Sequence, residues 1–186
     1  MRSITLTTAA VLTFALAACG SPEGTEGEAA DPAATETAEP MTAVATLQTA
    51  DGQPAGTATA TASGDQVMIS LAVENLPAGE HGVHVHTVGA CEAPKFESAG
   101  PHWNPNEQTH GLEGDEGQHA GDMPNLTVAE DGTGTLEYTL EGGATFAGLM
   151  DADGSAFMVH AGRDDQATDP SGNSGDRIAC GVFQAS

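Results

Sequence analysis

QVMISLAVENLPAGEHGVHVH, residues 66–86, decides how the rest of the chain is interpreted. In its first part, apolar side chains occupy every second position from Val67 to Val73. Successive side chains of a β-strand point to opposite faces, so this spacing indicates a strand with one buried face and one solvated face. The stretch therefore predicts a half-buried strand of a β-sheet.

The last part of the same stretch combines a strand pattern with histidines. Val83 and Val85 alternate with His84 and His86, so the two imidazoles project side by side from the face opposite the valines. Imidazole suits copper and zinc ions, and this spacing allows both rings to bind one ion. By the same parity His81 points to the other face, and we do not expect it to bind that ion.

Further strands of similar length follow along the chain, separated by turn residues such as Asp51-Gly52 and Gly64-Asp65. Eight segments have strand character: 43–50, 56–63, 66–76, 79–88, 125–132, 134–140, 155–160 and 177–184. No helical period of useful length is present among them. The pattern predicts an all-β fold, an antiparallel sandwich or barrel. Two long polar segments, 89–121 and 161–176, interrupt the strands and are expected to be functional loops.

The N-terminus predicts export. Arg2 precedes an uncharged apolar run that is too short for a convincing transmembrane helix and is typical of a secretory signal. The run ends in Leu-Ala-Ala-Cys at 16–19, which resembles the lipobox of bacterial lipoproteins. This resemblance implies a signal peptide at 1–18 and a lipidated Cys19, which would anchor the protein in the bacterial cell envelope. An ordinary secreted protein with a spare cysteine is the alternative.

Residues 19–40 after the signal are expected to form a disordered acidic linker. From 20 to 40 the chain has no Val, Ile, Leu or aromatic residue, so it cannot bury enough apolar surface to offset the entropy of ordering. The folded domain is then 41–186. The formal net charge of the whole chain is −23, which argues against nucleic acid as a partner because its phosphates would be repelled.

The cysteines agree with an exported protein. The chain has three, and with Cys19 assigned to the anchor, Cys91 and Cys180 remain. Because exported proteins fold in an oxidising compartment, this pair predicts a disulfide, with two free thiols as the alternative.

The first long loop contains further candidate metal ligands, namely His102, His110, His119 and Asp122. Three imidazoles and a carboxylate can form the four-coordinate site that zinc prefers, and a bound ion would order a loop that lacks an apolar core. Solvated loop histidines are the alternative. His160, at the end of a strand, is weak evidence by itself because such a histidine is more often only hydrogen-bonded.

Five separate segments make the interpretation specific: HGVHVH (81–86), SAGPHWNP (98–105), HAGDMPN (119–125), MVHAGRDD (158–165) and GNSGDRIACGV (172–182). In this order they resemble the motifs of copper–zinc superoxide dismutases, and the similarity extends over essentially all of 41–186. The resemblance implies an eight-stranded antiparallel Greek-key β-barrel, an immunoglobulin-like sandwich, with two long functional loops.

The same resemblance implies two metal ions that share one histidine. The copper ligands would be His84, His86, His102 and His160, and the zinc ligands would be His102, His110, His119 and Asp122. Asp164 matches a carboxylate that links a copper ligand to a zinc ligand, and Arg177 matches the arginine that receives the anionic substrate. Cys91 and Cys180 match the family disulfide, and His81 matches a structural histidine.

The implied function is disproportionation of superoxide to oxygen and hydrogen peroxide by copper redox cycling, an antioxidant defence in the cell envelope. His102 and Arg177 would be the catalytic residues, with zinc holding His102 and ordering the loop. The expected partners are superoxide and, through the lipid anchor, a membrane; the protein would be a monomer or a homodimer. A protein that only stores copper and zinc is the main alternative, since it could use the same ligands without needing Arg177 or Asp164. A copper-only dismutase is a further alternative, which the intact zinc ligands disfavour.

Overall fold

The structure is a computed structural model that describes residues 40–114 and 117–186. The signal peptide expected at 1–18, the lipidated Cys19 and all of the expected linker 19–40 except its last residue lie outside the described residues. Among the described residues, no helix is long and apolar enough to cross a membrane.

The described chain consists almost entirely of β-strands. They are β1 (Thr42–Thr49), β2 (Pro54–Ser63), β3 (Gln66–Val73), β4 (Gly79–His81), β5 (Val83–His86), β6 (Leu126–Val128), β7 (Gly134–Thr139), β8 (Ala156–His160) and β9 (Arg177–Ala185). Two single turns of helix accompany them, a 3₁₀ turn at Glu97–Ala99 and the α-helix α1 at Phe146–Leu149. Helix α1 was not expected from the sequence, because one turn is too short to show a helical period. Its N-cap residue is Thr145, whose hydroxyl oxygen accepts a hydrogen bond from the Gly148 amide at 3.1 Å.

The strands form an antiparallel barrel. Seven of them pair in the order β5-β8-β9-β1-β2-β3-β7, and β4 pairs with β6. Strand β6 packs beside β7, and β4 continues into β5 through Gly82. The pair β4-β6 therefore connects the two edge strands of the larger sheet, β5 and β7, and closes the barrel. Neighbours such as β3 and β7 are not consecutive in the sequence, as in a Greek key. The predicted all-β Greek-key fold is confirmed, with the expected strand 79–88 divided into two.

The interior of the barrel follows the alternation seen in the sequence. On β3, Val67, Ile69 and Leu71 are buried while the residues between them are exposed. Strand β2 contributes Ala58 and Ala60 to the same core, and Phe157 on β8 and Phe183 on β9 complete it with an edge-to-face ring contact. Small alanines from β2 and larger side chains from the other strands form this core, and the candidate metal-binding histidines are not part of it.

Gly82 divides β4 from β5, and the loop 161–176 packs against it. A Cβ atom at this position would lie 2.8 Å from the Cβ atom of Ser174 and 3.1 Å from that of Asp164, closer than side-chain atoms normally approach. The Gly82 amide donates to the carbonyl oxygen of Gly162, and its carbonyl oxygen accepts from the His160 amide. The break therefore brings the loop 161–176 directly against β5.

A disulfide joins the other long loop to the barrel. Cys91 and Cys180 are bonded, with Cα atoms 5.7 Å apart, which confirms the predicted pair. The bridge belongs to a small apolar cluster, separate from the barrel core, that includes Phe96, Ala99 and Met158. The loop after β5 is thus fastened to β9 by a covalent bond and by a limited apolar contact.

Replacing Cys91 and Cys180 by Ser is expected to lower the free energy of unfolding by about 4–5 kcal/mol, because the bridge closes a loop between positions 89 residues apart. Chemical denaturation of the oxidised wild-type protein and of the double variant measures the difference. A reducing agent should destabilise the wild-type protein and leave the double variant unchanged. Equal stability of the two oxidised proteins would contradict this account.

Candidate metal centre

Strand β5 is buried on both faces, and this places the first two histidines. Val83 and Val85 point into the barrel core, whereas His84 and His86 point outward and are covered by the two long loops. His84 is completely buried and His86 is 1% exposed. The predicted arrangement of two imidazoles on one face of this strand is therefore present, and the loops remove both rings from water.

Four histidines form the first candidate metal set. Their potential ligand atoms lie within 4.8 Å of one another, and the set comprises His84, His86, His102 and His160. Each ring has one buried nitrogen without a hydrogen-bond partner in the described part of the chain: Nδ1 of His84 and Nε2 of His86, His102 and His160. Because buried polar atoms are rarely left unpaired, four such nitrogens in one place fit a bound cation.

The opposite nitrogens of these rings are fixed by hydrogen bonds. His84 donates from Nε2 to Oδ2 of Asp164 at 2.6 Å, and His86 donates from Nδ1 to the carbonyl oxygen of Gly100 at 2.8 Å. His160 donates from Nδ1 to the carbonyl oxygen of Gly175 at 3.2 Å. Such bonds select the tautomer and orient the ring, so the opposite nitrogen carries no proton and its lone pair is available to a metal ion.

The second candidate set surrounds one carboxylate oxygen. Oδ1 of Asp122 lies 2.9 Å from Nδ1 of His102, 3.1 Å from Nδ1 of His110 and 3.2 Å from Nδ1 of His119. Its other oxygen accepts the backbone amides of Gly111 and His119. Three imidazole nitrogens and one oriented carboxylate oxygen match the number and type of ligands that a tetrahedral zinc ion takes.

His102 belongs to both sets. Its ring centre lies 3.8 Å from that of His84 in the first set and 5.2 Å from that of His110 in the second. Nδ1 faces Asp122 while Nε2 has no hydrogen-bond partner in the described chain. One imidazole can therefore present a nitrogen to each of two ions.

Asp164 connects the two sets a second time. Its Oδ2 accepts from Nε2 of His84, and its Oδ1 accepts from Nε2 of His110 at 3.0 Å. The backbone of Asp164 is held by Asn125, whose side-chain oxygen accepts the Asp164 amide and whose side-chain NH₂ donates to the Asp164 carbonyl oxygen. Moving this carboxylate would therefore disturb a ring of each set at once.

Burial determines the protonation state of the first set. It lowers the pKa of His84 and His86 well below the usual value, and the neighbouring imidazole of His102 adds to the effect. Burial also lowers the pKa of His160, to about 4. These rings are neutral at pH 7, which is the form that binds a metal ion.

The carboxylates have the opposite effect on His110. Burial lowers its pKa, but hydrogen bonds with Asp122 and Asp164 outweigh that effect and raise the pKa to about 9. Burial would raise the pKa of Asp122, but hydrogen bonds from its three histidine neighbours hold it well below the usual value. At pH 7 this pKa makes His110 an imidazolium paired with two carboxylates, and a metal ion at Nδ1 would have to displace a proton.

Arg177 lies at the edge of the first set. Its two terminal nitrogens donate to the carbonyl oxygens of Phe96 and Gly100, each at 2.7 Å, and Gly100 also accepts from His86. Partial burial lowers the pKa of the guanidinium from its ordinary value. Of the three basic side chains that the structure describes, Arg177 alone forms no ion pair, because Lys95 pairs with Glu97 and Arg163 with Glu80.

A groove gives solvent access to this arginine. It has a volume of about 550 Å³ and is lined by Lys95, Glu97, Asp176 and Arg177 among others. Acidic and basic side chains are balanced along its walls. An anion that enters the groove meets the unpaired charge of Arg177.

The structure brings together every site residue predicted within the described chain. His81 lies apart from both sets, as expected, with Nδ1 2.7 Å from the carbonyl oxygen of His160 and Nε2 2.9 Å from that of Pro77. The sequence analysis did not identify Asn125, which holds the backbone of Asp164, or Gly172, where a Cβ atom would lie 1.7 Å from Oδ1 of Asp164. The role of Asn125 depends on a contact across 39 positions, and that of Gly172 on packing within the loop 161–176, so no local spacing indicates either.

The fold and these residues define a β-barrel protein with two adjacent candidate metal sets, rich in histidine, that have one imidazole in common. Comparison with known proteins identifies the group. The sequence model of the family described as copper/zinc superoxide dismutase matches residues 54–183, and the chain belongs to this family, whose metals are copper and zinc.

Individual relatives support this membership. The Cu-Zn superoxide dismutase of Caulobacter vibrioides is 39% identical over 148 residues, which cover 76% of this chain and 85% of the relative. Superoxide dismutase [Cu-Zn] 1 of Aquifex aeolicus is 40% identical over 139 residues, covering 72% of this chain and 82% of the relative.

Solved structures agree. A double mutant of a SOD-like protein from Bacillus subtilis superimposes with a TM-score of 0.69 at 38% identity, covering 75% of this chain and 95% of that protein. The Cu/Zn superoxide dismutase of Brucella abortus superimposes with a TM-score of 0.62 at 26% identity, covering 77% of this chain and 99% of that protein.

Replacing Gly172 by Ala tests the role of Asp164. The new Cβ atom would lie 1.7 Å from Oδ1 of Asp164 and 2.8 Å from Nε2 of His110, so the carboxylate must move. We expect the affinity of the second set for a divalent ion to fall by about tenfold or more, measured by competition with a chromophoric chelator.

Gly64→Ala is the matched control. Gly64 has φ +62°, close to the +59° of Gly172, but no other atom lies within 4 Å of a Cβ there. It should show the same backbone strain and an unchanged metal affinity. If Gly172→Ala also keeps its affinity, the link through Asp164 has no part in metal binding.

Proposed function

We propose that this protein catalyses the disproportionation of superoxide to oxygen and hydrogen peroxide. Copper is assigned to His84, His86, His102 and His160, and zinc to His102, His110, His119 and Asp122. The observation that carries the proposal is the position of the His102 ring, whose nitrogens are directed to the two candidate sets. The donor types agree with the assignment, since four imidazoles suit copper and a mixed imidazole–carboxylate set suits zinc.

When bound, copper supplies one-electron redox chemistry and zinc supplies a fixed positive charge without redox chemistry. The residues of the chain prepare the site for both. Asp164, Gly100 and Gly175 accept the outer protons of the copper-set rings, so the inner nitrogens remain free of protons. The loops exclude water from these rings, which keeps the imidazoles neutral.

His102 is assigned the transfer of a proton. Its Nδ1 faces Asp122, so the ring stays in place whether or not Nε2 carries a proton. That nitrogen has no other hydrogen-bond acceptor in the described chain and lies beside the other rings of the copper set. A proton held at Nε2 of His102 is therefore close to where superoxide is reduced to peroxide.

Arg177 is assigned the binding of the substrate anion. It donates to two neutral carbonyl oxygens and lines the groove without an ion-pair partner among the described residues. Superoxide carries one negative charge, and a guanidinium next to the copper set favours its approach and orientation. Because the carbonyl oxygens of Phe96 and Gly100 fix the guanidinium, it needs no reorganisation when the anion arrives.

We further propose that the mature protein is exported and anchored in the bacterial cell envelope. The disulfide between Cys91 and Cys180 supports an oxidising compartment. The apolar run before Cys19 supports a signal peptide at 1–18, lipidation at Cys19 and a linker that separates the membrane from the domain. In that location the enzyme would remove superoxide that reaches the envelope.

Replacing Arg177 by Gln tests the function. The protein loaded with copper and zinc is expected to dismutate superoxide, and the variant to keep both metals while its rate falls by about tenfold. Arg163→Gln is the matched control, because it removes the same charge from a side chain that pairs with Glu80 at the surface. Pulse radiolysis gives the rate, and elemental analysis gives the metal content.

The proposal fails if the wild-type protein takes up both metals without consuming superoxide, which would instead favour metal storage. The role of Arg177 alone fails if the two arginine variants are equally active.

A further inference from the structure

The backbone of His110 is tied to the opposite loop by a carboxylate that the metal assignment does not use. Oδ1 of Asp169 accepts the His110 amide at 2.7 Å, across 59 positions of sequence. Asp169 lies in the loop 161–176, whereas His110 belongs to the loop that follows β5. The hydrogen bond is therefore a direct connection between the two loops that surround the site.

The ring of His110 is held at both nitrogens, so a hydrogen bond to its backbone would complete the positioning of this residue. Nδ1 faces Asp122 and Nε2 donates to Asp164, and the side chain is completely buried. With the ring fixed in this way, His110 can be displaced only if its backbone moves. A hydrogen bond to the amide restricts that movement, and an ionised acceptor makes the bond stronger than a neutral one.

The two loops also touch at the next residue. A Cβ atom on Gly111 would lie 1.9 Å from the carbonyl oxygen of Gln166, so only glycine permits this approach. The φ angle of Gly111 is +101°, which also favours glycine. Asp169 thus acts where the two loops are in close contact, on the backbone of a residue assigned to zinc.

We propose that Asp169 is a positioning residue for zinc: it fixes the backbone of His110 so that Nδ1 points at the ion. The inference rests on the proposed assignment of zinc to the second set. Its consequence is that the loop 161–176, which also contains Asp164, is ordered together with the zinc-binding loop. Losing the bond should increase the rate of zinc release without unfolding the barrel.

Other aspartates of the surface turns differ in a way that provides a control. Asp131 accepts the amide and the hydroxyl of Thr133, two positions further on, so its bonds stabilise only their own turn. Asp131→Ala removes a carboxylate that accepts a backbone amide, as Asp169→Ala does, but one whose hydrogen bonds do not reach a candidate metal residue. If zinc release depended on turn stability in general, both variants would release zinc faster. If it depends on the positioning of His110, only Asp169→Ala will do so.

The experiment compares the wild-type protein with Asp169→Ala, Asp169→Asn and Asp131→Ala. Zinc release to excess chelator is followed in each, and the visible absorption of Co(II) bound in place of zinc reports the geometry of its ligands. We expect Asp169→Ala to release zinc about ten times faster and to show an altered cobalt spectrum. Asp169→Asn keeps an oxygen acceptor and should restore most of both properties, and Asp131→Ala should match the wild-type protein.

Unchanged zinc release and an unchanged cobalt spectrum in Asp169→Ala would overturn the inference. The same conclusion follows if Asp131→Ala releases zinc equally fast. Amide hydrogen exchange of the zinc-loaded wild-type protein needs no variant: the His110 amide should be protected, and rapid exchange there would also overturn the inference. If the wild-type protein binds no zinc or cobalt at all, the proposed assignment has failed instead, so the two failures are distinguishable.

Discussion

The structure depends on the burial of the His102 ring between two groups of polar side chains. Nδ1 of this ring faces Asp122, whereas Nε2 lies among imidazoles whose own nitrogens have no hydrogen-bond partner in the described chain. Burying unpaired polar groups costs free energy, and neutral imidazoles that face one another cannot all donate. Cations bound by the two sets would offset that cost, so folding of the loops and binding of the metals become one process.

The loops around this ring are held by specific connections rather than by a large apolar core. The disulfide fastens one loop to β9, Asp164 joins a ring of each set, and Arg177 donates to two carbonyl oxygens of the loop after β5. The barrel contributes rigidity, because β5 and β8 pair directly and present His84, His86 and His160 from fixed backbone. Rigid strands supply three rings of the first set, and the loop supplies the ring that both sets share.

The sequence predicted best those features that depend on local periodicity. The alternation from Val67 to Val73 reports the two faces of a strand, and the same parity separated His84 and His86 from His81. The break at Gly82 and the single turn Phe146–Leu149 escaped prediction, since the first depends on packing against Ser174 and Asp164 and the second is shorter than a helical period. The bond between Asp169 and His110 joins distant loops, and no pattern along the chain indicates it.

The most direct test of the central claim is electron paramagnetic resonance of the wild-type protein with Cu(II) bound by both sets. If His102 connects the two ions through its ring, their unpaired electrons couple antiferromagnetically and most of the signal is lost at low temperature. Replacing His102 by Ala should abolish this coupling, so that any copper that remains bound gives an ordinary signal. Two independent signals of full intensity in the wild-type protein would contradict the account, because His102 would then not be shared.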